Sequence, residues 1–104
     1  MQYDDEGSEP PLGFEWDPSK EATNREKHGI RFRRASLVFF DPHRIEEESS
    51  RREHREFRRK AIGSVHGQVI VVIYTFRGDR RRMISARRAS PHERSQYNQS
   101  QGIS

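Results

Sequence analysis

Only one stretch of this chain is suited to the centre of a sheet. In GQVIVVIYTF, Gly67 to Phe76, apolar side chains fall on both alternating faces, a pattern that suits a strand covered on both sides. Elsewhere charge intervenes, for 35% of the 104 residues are Asp, Glu, Lys or Arg and only 30% are apolar. A chain of that size and composition builds one thin core in one small domain, so the expectation is a single layer of helix against a single sheet. The apolar run is far too short to span a bilayer, and no charged n-region with an apolar h-region opens the chain. The reading is of a soluble, cytosolic protein with no membrane partner.

The remaining elements are read around that strand. Residues 1–13 are acidic, rich in Gly and Pro, and read as a flexible tail. Phe14 to Trp16 suits a short strand, after which Asp17 and Pro18 match an N-cap and first helical position. That helix runs to Lys27 and His28, and Gly29 suits the left-handed position just past its end. In FRRASLVFF the residues Phe32, Ala35, Ser36 and Phe39 fall at helical spacing, which predicts a second helix ended by Asp41-Pro42. HRIEEES and FRRKAIGSV read as two polar-rich strands, and SSRREHRE between them suits a loop or a brief helix equally. After the turn at RGD, RRMISARRA reads as an edge strand with Ile84 and Ala86 on one face and Met83, Ser85 and Arg87 on the other. Ser90, Pro91 and Glu93 spell a capping box that starts a last helix. Trp16, Phe39, Val71 and Ile73 are read as core.

Charge is distributed unevenly. The formal charge is +4, yet residues 1–17 hold six acids and no base, whereas residues 77–94 hold seven arginines against two acids. Of the twenty cations, seventeen are Arg, whose planar fork matches phosphate oxygens better than an ammonium does. A polyanion is the natural partner. Cysteine is absent, which excludes disulfides and thiolate-bound zinc. The five histidines are scattered without metal-ligand spacing, so neither a metal nor another cofactor is expected.

FEWDPSKEATNREKHGI, LVFFDP, RRKAIG and RMISARRASPHERSQY resemble the landmark segments of the BrnT toxins of type II BrnT/BrnA toxin–antitoxin systems. The resemblance covers roughly residues 14–97; the acidic N-terminal tail and the Arg-rich SSRREHREF segment depart from the usual pattern. It implies an α+β, RelE-like fold over residues 14–98, with N-terminal helices and a C-terminal helix packed on a small antiparallel sheet, and a tail at 99–104. It also implies metal-independent endoribonuclease activity that inhibits translation. The implied partners are RNA, on or off the ribosome, and a BrnA-like ribbon-helix-helix antitoxin in a 2:2 heterotetramer, with DNA contacted only through the antitoxin.

Cleaving RNA without a metal requires removal of a 2′-OH proton, stabilisation of the charged phosphorane and protonation of the departing 5′ oxygen. Arginine serves the second task. Arg87 shares a face with Ser85 and is the favoured transition-state contact, while Arg88 reaches the site if the strand twists near Pro91. Arg58 stands where the resemblance places a second guanidinium, with Arg59 facing oppositely. Lys27 and His28 suit the negative end of a helix dipole, yet Lys27 is also a candidate phosphate contact. Histidine, which as a residue type titrates nearest neutrality, makes His28 a candidate acid or base. Glu93 has a complete capping role and is a candidate base as well. Arg94 and Tyr97 share a helix face; Tyr97 is a candidate for base stacking or proton donation, by analogy with RelE-like nucleases, or for sealing its helix to the sheet. The catalytic candidates are thus Arg58, Arg87, Arg88, His28, Glu93 and Tyr97, and the RNA-binding candidates Lys27, Arg59, Arg94 and Ser85. A non-catalytic nucleic-acid-binding module, or a surface for an acidic protein partner, is the alternative that arginine content alone supports.

Overall fold

The structure is a computed structural model that describes residues 9–101; most of the acidic tail read at 1–13, and the last three residues, lie outside the described residues. The chain orders as β1 (Phe14–Glu15), α1 (Pro18–His28), α2 (Phe32–Ala35), a 3₁₀ turn (Ser36–Phe40), β2 (Ile45–Glu48), β3 (Arg59–Val65), β4 (Gln68–Arg77), β5 (Arg80–Arg88) and α3 (Pro91–Ser100). One sheet of order β1-β5-β4-β3-β2 holds all five strands, an α+β fold. The long apolar strand β4 is its centre, with β5 and β3 antiparallel on either side.

Local signals set the helix ends. The Asp17 carboxylate accepts from Ser19 N at 2.9 Å, Pro18 occupies the first turn, and Gly29 closes α1 at φ 72° with its N–H on Arg25 O. At α3 the Ser90 hydroxyl accepts from Glu93 N and the Glu93 carboxylate accepts from Ser90 N, the reciprocal capping box.

Three expectations need correction. The sheet is mixed, because β1 runs parallel to β5, pairing Phe14 with Arg81 and Glu15 with Arg82. The predicted second helix is α-helical only to Ala35 and then tightens into 3₁₀. At three residues per turn, Phe32, Ala35 and Val38 align and are all fully buried, while Phe39 packs at the edge of the core. Third, β5 carries a bulge: Ile73 pairs with Ser85 and Tyr74 with Met83, leaving Ile84 unpaired. The extra residue returns Met83 to the face of Ala86, where both are buried in the same cluster. The segment between β2 and β3, read as loop or helix, is a loop with turns, and β3 begins only at Arg59.

Both faces of β4 are covered, unequally. Phe14, Phe32, Val38, Val72, Tyr74 and Met83 build the larger core beneath α1, α2 and the 3₁₀ turn. On the opposite face Ile62, Val71, Ala89 and Tyr97 form a small cluster beneath α3, with Ile73 packed at its border. Val71 is fully buried, whereas Trp16, Phe39 and Ile73 are partly so. Among the described residues no helix is long and apolar enough to cross a membrane. The 3₁₀ turn approaches β3 so closely that a Cβ on Gly63 would lie 2.9 Å from Val38 Cγ1 and 3.3 Å from Val38 O. Gly63→Ala is therefore expected to cost about 1–2 kcal/mol by overpacking, read as a lower denaturation midpoint at unchanged slope.

Candidate active site

The thinly covered sheet face carries the candidate site. Cross-strand register places Lys60 of β3, Ile73 of β4 and Ser85 of β5 side by side, and Arg87 beside Val71. Arg87 and Ser85 are two apart beyond the bulge, so they share this face. α3 crosses one end of it and delivers Glu93, whose residue exposure is only 6%.

Two cations converge on that carboxylate. Arg87 Nη1 and Nη2 donate to Glu93 Oε1 and Oε2 at 2.7 and 2.9 Å, a bidentate fork. Lys60 Nζ lies 2.6 Å from Oε2, and Ser90 N donates to Oε1 at 2.9 Å. Hydrogen bonds from Arg87 above all, then Lys60 and Ser90, hold the Glu93 carboxyl well below the usual carboxylate range despite its burial, and Glu93 raises Arg87 in turn. The group carries one positive charge in excess, and the Arg87 side chain remains 38% exposed. An incoming anion therefore finds a guanidinium already oriented.

Glu93 also makes stability depend on pH with a definite sign. Because its pKa is lower folded than unfolded, its contribution is full above the unfolded value near 4.5 and is lost as pH falls through the folded value. The stability gap between wild type and Glu93→Gln, measured by urea unfolding, is expected to be widest at neutral pH and to shrink on acidification below about pH 4.5. A gap that stays constant with pH would contradict the ion-pair assignment.

The end of β5 is held from the side by α1. Asn24, the buried residue of that helix, accepts from Ala86 N at 3.0 Å and donates to Ala86 O at 2.9 Å. Its amide thus substitutes for a neighbouring strand beyond the short β1, and it donates also to Ile30 O at 3.2 Å. Along this seam runs an open cleft of about 330 Å³ lined by Ser19, Lys20, Thr23, Lys27, His28 and Ser85, among others. Lys27, His28 and Ser85 are therefore brought together, and Ser85 links the cleft to the face of Arg87.

The other candidates are placed apart. Arg58 precedes β3 and is engaged by Glu56 at 3.0 Å and by His54 at 3.2 Å. Arg59 points to the opposite face, beside Tyr74 and Glu46; Tyr74 first and then Glu46 raise its pKa. Arg88 is exposed at the end of β5, paired with Ile70 rather than Val71. Arg94 is exposed on α3 and donates to Ala89 O at 3.0 Å. Tyr97 is buried, and its hydroxyl donates to Asp41. Burial and then Asp41 push that hydroxyl up to about 12. Burial alone would raise Asp41, but hydrogen bonds from Tyr97, Ser64 N and His43 N outweigh it and hold the carboxyl low. Among the described residues no group of three His, Asp or Glu side chains is placed to hold a metal ion.

The sequence profile of the ribonuclease toxin BrnT of type II toxin–antitoxin systems matches residues 16–93. The chain belongs to this family. The matched region contains α1 and its cleft, Lys60, Arg87 and finally Glu93, the whole group around the carboxylate. Membership implies RNA as substrate and an antitoxin as partner. No curated protein sequence matches the chain. Two residues of the family region escaped the sequence reading. Lys60 was hidden among five neighbouring arginines of residues 51–60. Asn24 offered one signal, a poor helix former in the middle of a helix, where a side chain that bonds elsewhere is the usual reason.

Proposed function

We propose that the Arg87–Lys60–Glu93 group is the site at which this toxin cleaves RNA by metal-independent transesterification. The supporting observation is the bidentate Arg87–Glu93 pair with Lys60 on the same carboxylate, two cations held in place by an anion that a phosphate resembles. The scissile phosphate exchanges with Glu93, taking the Arg87 fork and the Lys60 ammonium. Glu93, relieved of the two cations that suppress its basicity, then lies next to the 2′-OH and accepts its proton. O2′ attacks phosphorus, Arg87 and Lys60 carry the phosphorane's extra charge, and the P–O5′ bond breaks. His28, in the cleft shared with Ser85, supplies the proton to the departing 5′ oxygen. The products are a 2′,3′-cyclic phosphate and a 5′-OH.

Around that centre Lys27, Arg58, Arg88 and Arg94 meet flanking phosphates, and Tyr97 seats α3, and Glu93 with it, through Asp41. Translation is inhibited by loss of the message. A BrnA-like ribbon-helix-helix antitoxin neutralises the toxin in a 2:2 assembly, covering the same basic face. Incubating the purified chain with a naked structured RNA in excess EDTA and identifying the product 3′ ends tests the chemistry. Cyclic-phosphate ends are expected; 3′-OH ends, or cleavage abolished by EDTA, would overturn the mechanism.

A further inference from the structure

A second set of guanidinium groups gathers at the far end of the same face. Glu15 of β1 lies 2.6 Å from Arg82 Nη1, 3.4 Å from Arg77 Nη1 and 4.0 Å from Arg80 Nη1. Arg77 and Arg80 face each other across the last rung of the β4–β5 hairpin, and Arg82 pairs with Thr75. Residues 77–82 with Glu15 hold four arginines against Asp79 and Glu15, an excess of two positive charges. The Arg77 and Arg80 side chains are 66% and 58% exposed, so most of their N–H donors face solvent. Exposed ion pairs contribute little to folding, and like charges crowded on one carboxylate repel. The less exposed Arg82–Glu15 pair ties β1 to β5, but folding alone gives no reason to gather Arg77 and Arg80 on the same carboxylate.

Strand alternation relates it to the active site. Arg77, Thr75, Ile73 and Val71 lie on one face of β4, and Ile73 and Val71 are the neighbours of Lys60 and Arg87. From Thr75 to Val71 is four residues, roughly 13 Å at the rise of a strand, too far for one phosphate to engage both clusters. We propose that Arg77, Arg80 and Arg82 form a second phosphate-binding subsite, which takes a backbone phosphate of the same single-stranded RNA whose scissile phosphate sits at Arg87 and Lys60. Glu15 does there what Glu93 does at the cleavage site: it orients the guanidinium groups until a phosphate displaces it. The inference rests on the RNA-cleaving reading of the Arg87 group. A line of cations along one sheet face suits a single strand, which such proteins bind with strong salt dependence.

The test is fluorescence anisotropy with a labelled, uncleavable 2′-O-methyl oligoribonucleotide, for wild type, Arg77→Ala/Arg80→Ala and Arg87→Ala, each at several salt concentrations. Both hairpin arginines are exposed, so the double variant is expected to melt like wild type. It is expected to bind several-fold to tenfold more weakly at about 0.1 M salt, with the salt slope reduced by roughly 0.7–1.4, one or two phosphate contacts. Arg77→Lys/Arg80→Lys is expected to recover most of the slope. Unchanged affinity and slope in the alanine variant would overturn the subsite, as would a wild type that does not bind the oligonucleotide. Weakened binding by the hairpin variant beside unchanged binding by Arg87→Ala would support the subsite and count against the active-site reading, so the two failures are distinguishable.

Discussion

Arg87→Ala is expected to lower the rate of RNA cleavage by about 10²–10³-fold, the size of effect seen when one well-placed donor to a transition-state oxyanion is removed. The Arg87 side chain is 38% exposed, its guanidinium plane is set by a bidentate contact with Glu93, and Lys60 of β3 supplies a second charge. The variant also leaves Glu93 with one cation where it had two, which costs about 1–3 kcal/mol of stability. Cleavage is therefore compared well below the melting temperature of the variant. Arg87→Lys keeps the charge without the fork and is expected to recover only part of the rate. Arg88→Ala removes the same charge one residue away, where the side chain is exposed beside Ile70's register position, and is expected to cost less than about tenfold. The reverse ranking, with Arg88 the more damaging loss, would move the site to the other side of β5.

Asn24→Ala is expected to have the largest effect on stability, about 3 kcal/mol. It strips partners from Ala86 N, Ala86 O and Ile30 O, and a buried polar group left unpaired costs about 1–3 kcal/mol. Asn24→Asp is expected to be no milder: it keeps the acceptor for Ala86 N, loses both donated bonds and buries a charge. Because Ala86 immediately precedes Arg87, amide exchange at Ala86 and Arg87 should quicken more than exchange along β3. Equal protection in wild type and variant would show that the helix amide does not hold the strand end.

Much of this molecule was legible before the fold was known. Asp17-Pro18 and Ser90-Pro91 with Glu93 are local signals, and the structure uses them as caps. The two-sided apolar run of β4 is legible for a different reason: only a central strand buries both faces. What escaped depends on partners distant in sequence. Ile84 looks like a regular position in RMISARR, and its bulge emerges only from pairing with β4. The parallel β1 contact involves two residues that nothing nearby marks as paired with Arg81 and Arg82. In FRRK, alternation alone gives Arg58 and Lys60 the same parity, and the start of β3 at Arg59 leaves Arg58 outside the strand while Lys60, its second residue, meets Glu93. Arg87 was identifiable because its face could be read from Ser85, on the near side of the bulge.

Mapping where RNA lies on the protein tests the proposed site most directly. Titrating the isotopically labelled chain with an uncleavable 2′-O-methyl oligonucleotide and following arginine Nε–H and backbone amide resonances distinguishes the two sheet faces. Arg87 Nε–H and the amides of Lys60, Ser85 and Glu93 are expected to shift first. Shifts confined to the opposite side, around Leu37, Phe40 and His66 on the cleft beside the 3₁₀ turn, would contradict it.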